Sequence, residues 1–170
     1  MALTQADAGL LSPTNAQYTG FKNKIINGAM VIDQRNAGAS VTISSTAALT
    51  YTVDRWFGYG NQASKFTVQQ NAASVTTPSG FVNYLGATSS SAYTVLTGDY
   101  FVVGQKIEGS NIADLNFGTA SAQNITLSFW VRSSLTGTFG GAICNGAQTR
   151  SYPFNYTISS ANTWEQKTIT

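Results

Sequence analysis

In residues 124–132 every second side chain is apolar: Ile125, Leu127, Phe129 and Val131 alternate with Thr126, Ser128, Trp130 and Arg132. A strand puts such a set on one face, whereas a helix would scatter it around its circumference. Tyr152, Phe154, Tyr156 and Ile158 repeat the alternation. Pro153 lies on the opposite face and confines that strand to an edge or a bulge. Phe66 and Val68 alternate with Thr67 and Gln69, and residues 56–60 read as a strand opened by glycines, which often mark bulges. Residues 29–35 read as a further strand closed by Asn36-Ala37-Gly38. Residues 93–96 and 100–103 flank Thr97-Gly98-Asp99 at the spacing of a hairpin. Residues 164–170 read as a strand with neither turn nor cap after it, which is either an edge strand or the front of a longer polypeptide. The only interior stretch that looks helical, 110–115, amounts to about one turn.

Many short strands with turn signals between them define an all-β chain. The pattern fits a β-sandwich or barrel over 25–170, reading as cut short at its C-terminal end. A short extended or partly helical N-terminal arm, 1–24, precedes it. Residues 2–11 suit one or two helical turns stopped before Pro13. The arm is either a partly ordered tail or a docking arm that engages a partner through Leu3, Leu10, Leu11 and Tyr18.

Composition narrows the chemistry. Charged residues make up 9% of the 170, against a usual ~25%, and the net charge is only +2. That leaves no basic stripe for nucleic acid. The absence of histidine removes Ser-His-Asp and Cys-His triads and His-containing zinc sites. Cys144 is the one cysteine, so no internal disulfide forms, and a buried structural thiol is expected of it. No apolar run approaches the ~20 residues of a membrane span, and the N-terminus lacks the basic and apolar regions of a signal peptide. No cofactor is indicated. The polarity is carried by Ser, Thr, Asn and Gln, which suits neutral ligands such as sugars and equally suits packing against other copies of the chain.

Three sets of residues are candidate sites. Asp54-Arg55-Trp56 joins a carboxylate, a guanidinium and an indole; it either orients a ligand or anchors the core and ties loops together. Trp130, Trp164, Tyr152 and Tyr156 are candidates for a sugar-stacking platform, or for packing and a subunit interface. Asp99, Glu108 and Asp114 lie close in sequence, but nothing in their spacing fixes the carboxylate pair of a glycosidase, and no DxDxDG-like calcium loop is present. Loop-tying acids are the reading to expect, with no metal site and no catalysis.

Several stretches resemble a known family. They are Asn23-Lys24-Ile25-Ile26-Asn27-Gly28-Ala29-Met30-Val31-Ile32-Asp33-Gln34-Arg35, Tyr51-Thr52-Val53-Asp54-Arg55-Trp56, and a set running from Gln105-Lys106-Ile107-Glu108-Gly109 through residues 127–133 to Asn162-Thr163-Trp164-Glu165. Together they resemble the jelly-roll module of bacteriophage tail-fibre and related virion proteins; the last set is also shared in outline with carbohydrate-binding modules. The resemblance runs from roughly residue 20 to the end. It implies a jelly-roll-like antiparallel β-sandwich, a homotrimer and a place in the virion, the tail foremost, after synthesis in the host cytoplasm. The partners implied are other phage tail or head proteins and, at the cell surface, host glycans. A head decoration or head-fibre protein and a free-standing carbohydrate-binding module are the alternatives. In the family, residues usually follow the last tryptophan-containing strand, so a natural chain extending past Thr170 is expected.

Overall fold

Alternation in the sequence becomes antiparallel strands in the computed structural model, which describes residues 23–44, 46 and 48–170. The strands are β1 (Val41–Thr42), β2 (Thr50–Tyr51), β3 (Trp56–Gly60), β4 (Phe66–Gln70), β5 (Leu85–Ser89), β6 (Phe101–Gln105), β7 (Leu127–Val131), β8 (Gly137–Cys144), β9 (Ser151–Ile158) and β10 (Glu165–Ile169). Only single 3-10 turns interrupt them among the described residues. The chain is all-β, with every ladder antiparallel. It divides into two compact units at Asn116/Phe117.

In the first unit two three-stranded sheets, β1-β4-β5 and β2-β3-β6, face each other. Ile43, Phe66 and Val68 are buried between them, with Leu85 and Val103 packed alongside. Phe66 meets Phe101 of the opposite sheet edge-on at 6.0 Å. The glycines of β3 do not mark a bulge, since its register with β6 runs unbroken from Trp56 to Gly60. They make room instead: a Cβ on Gly58 would sit 2.3 Å from Ile43 Cδ1. Ile43 therefore fills the space a β3 side chain would need, and the two sheets approach closely.

Two further sequence expectations fail in this unit. Residues 29–35 form no strand; the stretch is turn and irregular chain, with left-handed backbone at Asn27 and Met30. Its polar groups are taken by side chains from elsewhere rather than by a ladder. The 93–103 stretch keeps its turn, where the Asp99 amide donates to Leu96 O at 3.0 Å, but not its hairpin. Residues 93–96 stay irregular and β6 pairs with β3.

The second unit contains two two-stranded sheets, β10-β7 and β8-β9. The alternation that predicts β7 holds, with Leu127, Phe129 and Val131 on the half-buried face and Ser128 and Trp130 outside. Phe129 meets Tyr156 of β9 edge-on at 5.1 Å, and Tyr156 stacks on Phe139 of β8 at 6.0 Å. Pro153 sits in β9, whose one ladder partner is β8, as an edge proline requires. Asn145 closes the β8–β9 turn by accepting from the amides of Thr149 and Arg150 at 2.9 and 3.1 Å. Cys144 is exposed at the end of β8, correcting the expectation of a buried thiol: in this strand the outward positions are 138, 140, 142 and 144.

Gly58→Ala should lower stability to denaturant by about 1–3 kcal/mol, because fully buried Ile43 has nowhere to go. Gly140→Ala is the control: the nearest atom to its Cβ is 3.9 Å away, and stability should hold or rise.

Candidate functional site

A polar network in the first unit is built on Asp54-Arg55-Trp56. The three occupy the tight turn from β2 into β3, closed by the Trp56 amide on Val53 O at 2.8 Å. Arg55 has φ of 77°, at the turn position that a type II turn favours for glycine. Asp54 points away from it: its Oδ2 accepts from the amides of Gln34 at 2.6 Å and Arg35 at 3.3 Å. The Trp56 indole N–H donates to Asn27 O at 3.1 Å. Arg55 Nη2 reaches Glu108 Oε1 at 2.6 Å and Lys106 O at 3.3 Å. Buried Thr52, just before the turn, is likewise satisfied: its carbonyl accepts from Asn36 Nδ2 at 2.6 Å and its amide donates to Trp56 O at 2.9 Å.

Asn27 is the hub on the other side. Its Nδ2 donates to Ile32 O at 2.8 Å and Asp54 O at 3.0 Å, and its Oδ1 accepts from the Ile32 amide at 3.0 Å. Gln105 brackets Ile26 in both directions, accepting at 3.0 Å and donating at 2.7 Å. Gln70 Nε2 donates to Met30 O at 2.5 Å. The irregular segment 24–35 is thus laced to β4, β6 and the β2–β3 turn by carboxamides and one carboxylate. Of the two readings of Asp54-Arg55-Trp56, the geometry matches loop-tying: the Asp54 carboxylate, Arg55 Nη2 and the Trp56 indole each have a protein partner, while Arg55 Nε is buried without one. Asn27 and Gln105 belong to this network; both stand in the resemblance stretches, but neither was a candidate site residue, because partners of their side chains, Asp54 for Asn27 and Ile26 for Gln105, are remote in the chain.

The aromatic quartet does not assemble. Trp130 is 39% exposed on the outer face of β7, while Tyr156 packs against Phe129 on the inner face. Adjacent strand residues face opposite ways, so Trp130 and Tyr156 cannot share a platform. Burial raises the Tyr156 phenol above its ordinary value. Tyr152 is 57% exposed near the start of β9, and Trp164 is half-buried immediately before β10. Leu3, Leu10, Leu11 and Tyr18 lie outside the described residues.

Asp99, Glu108 and Asp114 serve separate loops. Asp99 accepts from the Leu96 amide at 2.7 Å, Tyr93 OH at 2.8 Å, Gln62 Nε2 at 3.0 Å and Asn61 Nδ2 at 3.2 Å. The Leu96 amide first, and the three side-chain donors with it, hold this carboxyl below the usual carboxylate range. Arg55 does the same for Glu108. Asp114 pairs with Lys24 at 2.6 Å. In the second unit Lys167, with the amides of Ser160 and Ser159, holds Glu165 low. No group of three or more metal-ligating side chains occurs among the described residues.

Asn27→Asp should cost about 1–3 kcal/mol, because it swaps a two-bond donor for an oxygen facing two carbonyls. Asn27→Gly, which tolerates the positive φ, should cost less; chemical denaturation checks both. The depressed carboxyls set the acid limb. Asp99, Glu108 and Glu165 have folded values below their unfolded ones, so their contribution is complete above about pH 4–5. It disappears as pH falls through the folded values. Thermal melts from pH 6 downward should show this loss, and Asp99→Asn with Glu165→Gln should flatten it.

No family model, curated protein or solved structure matches this chain.

Proposed function

We propose that the chain is a structural subunit of a phage virion, the attachment part of a tail fibre or spike that assembles as a homotrimer and carries host adhesion. The observation that carries this reading is the use made of the motifs behind the family resemblance. Residues 23–35, 51–56 and 105–108 bind one another through Asn27, Asp54, Trp56, Gln105 and the Arg55–Glu108 pair. Residues 127–131 pair with β10, and Arg132 Nε donates to Asn162 O at 2.9 Å. The motif residues are spent on holding chain to chain, which is what a scaffold needs and an active site does not.

Exposed apolar residues support assembly with other copies. Val31, Ile32, Val82, Val95, Leu96 and Leu135 are all more than half exposed. A chain with few charges gains solubility by burying such residues between subunits.

The native mass of the protein from its natural source, alongside its intact-chain mass, tests the proposal. A trimer that co-purifies with particle tails is expected. A monomer overturns the fibre reading, and a trimer found on heads instead of tails replaces it with a head decoration.

A further inference from the structure

Two asparagines in the chain precede glycine, Asn27-Gly28 and Asn145-Gly146. In such a pair the glycine nitrogen can close on the asparagine Cγ, because glycine has no Cβ to obstruct the approach. The two pairs share this local chemistry, and the fold gives them opposite surroundings.

Asn27 is half-buried with φ of 55°. Its Nδ2, the group that would have to leave, donates to two carbonyls, Ile32 O at 2.8 Å and Asp54 O at 3.0 Å. A carbonyl has no proton to give a departing nitrogen. The Asn27 backbone carbonyl accepts from the Trp56 indole and the Met30 amide, both at 3.1 Å, which pins the peptide plane that carries the Gly28 nitrogen. A Cβ on Gly28 would lie 3.1 Å from Ile25 Cγ2, so the glycine has little room to turn.

Asn145 is exposed in the β8–β9 turn, and a Cβ on Gly146 would meet nothing within 4 Å. The Asn145 Oδ1 accepts from two amides, Thr149 at 2.9 Å and Arg150 at 3.1 Å. Negative charge gathers on this oxygen when Cγ is attacked, and amide donors stabilise it there. Nδ2 donates to Thr149 Oγ1 at 3.0 Å. A hydroxyl both accepts and donates, so Thr149 can return a proton to the nitrogen once it has become an amine.

We propose that Asn145-Gly146 is a self-modification site that converts to aspartate and isoaspartate, while the fold shields Asn27-Gly28 from the same reaction. The Gly146 nitrogen loses its proton to water and bonds to Asn145 Cγ, closing a succinimide ring. The Cγ–Nδ2 bond breaks, and ammonia leaves with a proton from Thr149, which regains one from water. Water then opens the ring at either carbonyl. Aspartate at 145 keeps both amide donors, and the Thr149 hydroxyl turns to donate to the other oxygen. At residue 27 the same change would set an oxygen against two carbonyls. The site open to conversion is therefore the one that tolerates its product, and each conversion lowers the net charge of +2 by one.

The inference is independent of the virion reading and of native mass. The intact chain is held at mildly alkaline pH with a reductant, and peptide mapping by mass spectrometry follows both asparagines with time. In the folded chain Asn145 should convert at least tenfold faster than Asn27. In guanidinium chloride, where the fold is gone, the two rates should converge. Thr149→Val should slow Asn145 severalfold, and Thr149→Ser should not. Asn145→Asp should melt with the parent chain. Equal rates in the folded chain overturn the proposal, as does a difference that persists in the unfolded one. So does a folded Thr149→Val variant that converts at the parent rate, or an Asn145→Asp variant that melts well below the parent. The two parent-chain rates need no variant, so the test holds even if Thr149→Val does not fold.

Discussion

Asn27 holds two distant pieces of chain with one carboxamide, and the first unit is organised around that grip. The side chain closes its own loop onto Ile32 and reaches the carbonyl of Asp54, while the backbone carbonyl of the same residue takes the Trp56 indole. The left-handed backbone at residue 27 makes this geometry accessible, and asparagine is among the few side chains that tolerate it. Once the loop is fixed, Asp54 has amides to accept from. The turn that carries Asp54 then sends Arg55 the opposite way, to Glu108. A segment with no ladder of its own thereby has the amides of Ile26, Ile32, Gln34 and Arg35 met by side chains.

The same turn breaks a local rule. A type II turn favours glycine where Arg55 stands, and a non-glycine residue there costs about 1–2 kcal/mol. The cost is offset by what the arginine reaches: a carboxylate and a carbonyl across from it in the chain following β6. Sequence rules are expected to fail where a residue serves a long-range contact, and Arg55 fits that pattern.

What the sequence made legible follows from range. β4, β7 and β9 were readable because each strand's own alternation reports its two faces. β1 and β2 are two residues long and leave no period to read. Met30-Val31-Ile32 has strand composition, yet its neighbours' polar groups are met by Gln70, Asp54 and Asn27, none of which a local window can weigh. The aromatic quartet failed on parity, since Trp130 and Phe129 are adjacent and Tyr156 follows Phe129.

The lacing of residues 24–35 has a mechanical side. A pull applied at Asn23 meets no β-ladder at first. It reaches the sheets through the Lys24–Asp114 pair, the Gln105 bracket on Ile26 and then the Asn27 hub, arranged one after another along the chain. Bonds loaded in series part singly, each at low force, and each release adds length before the next is strained. The Ile43–Phe66–Val68 core would feel the load only after these contacts had parted.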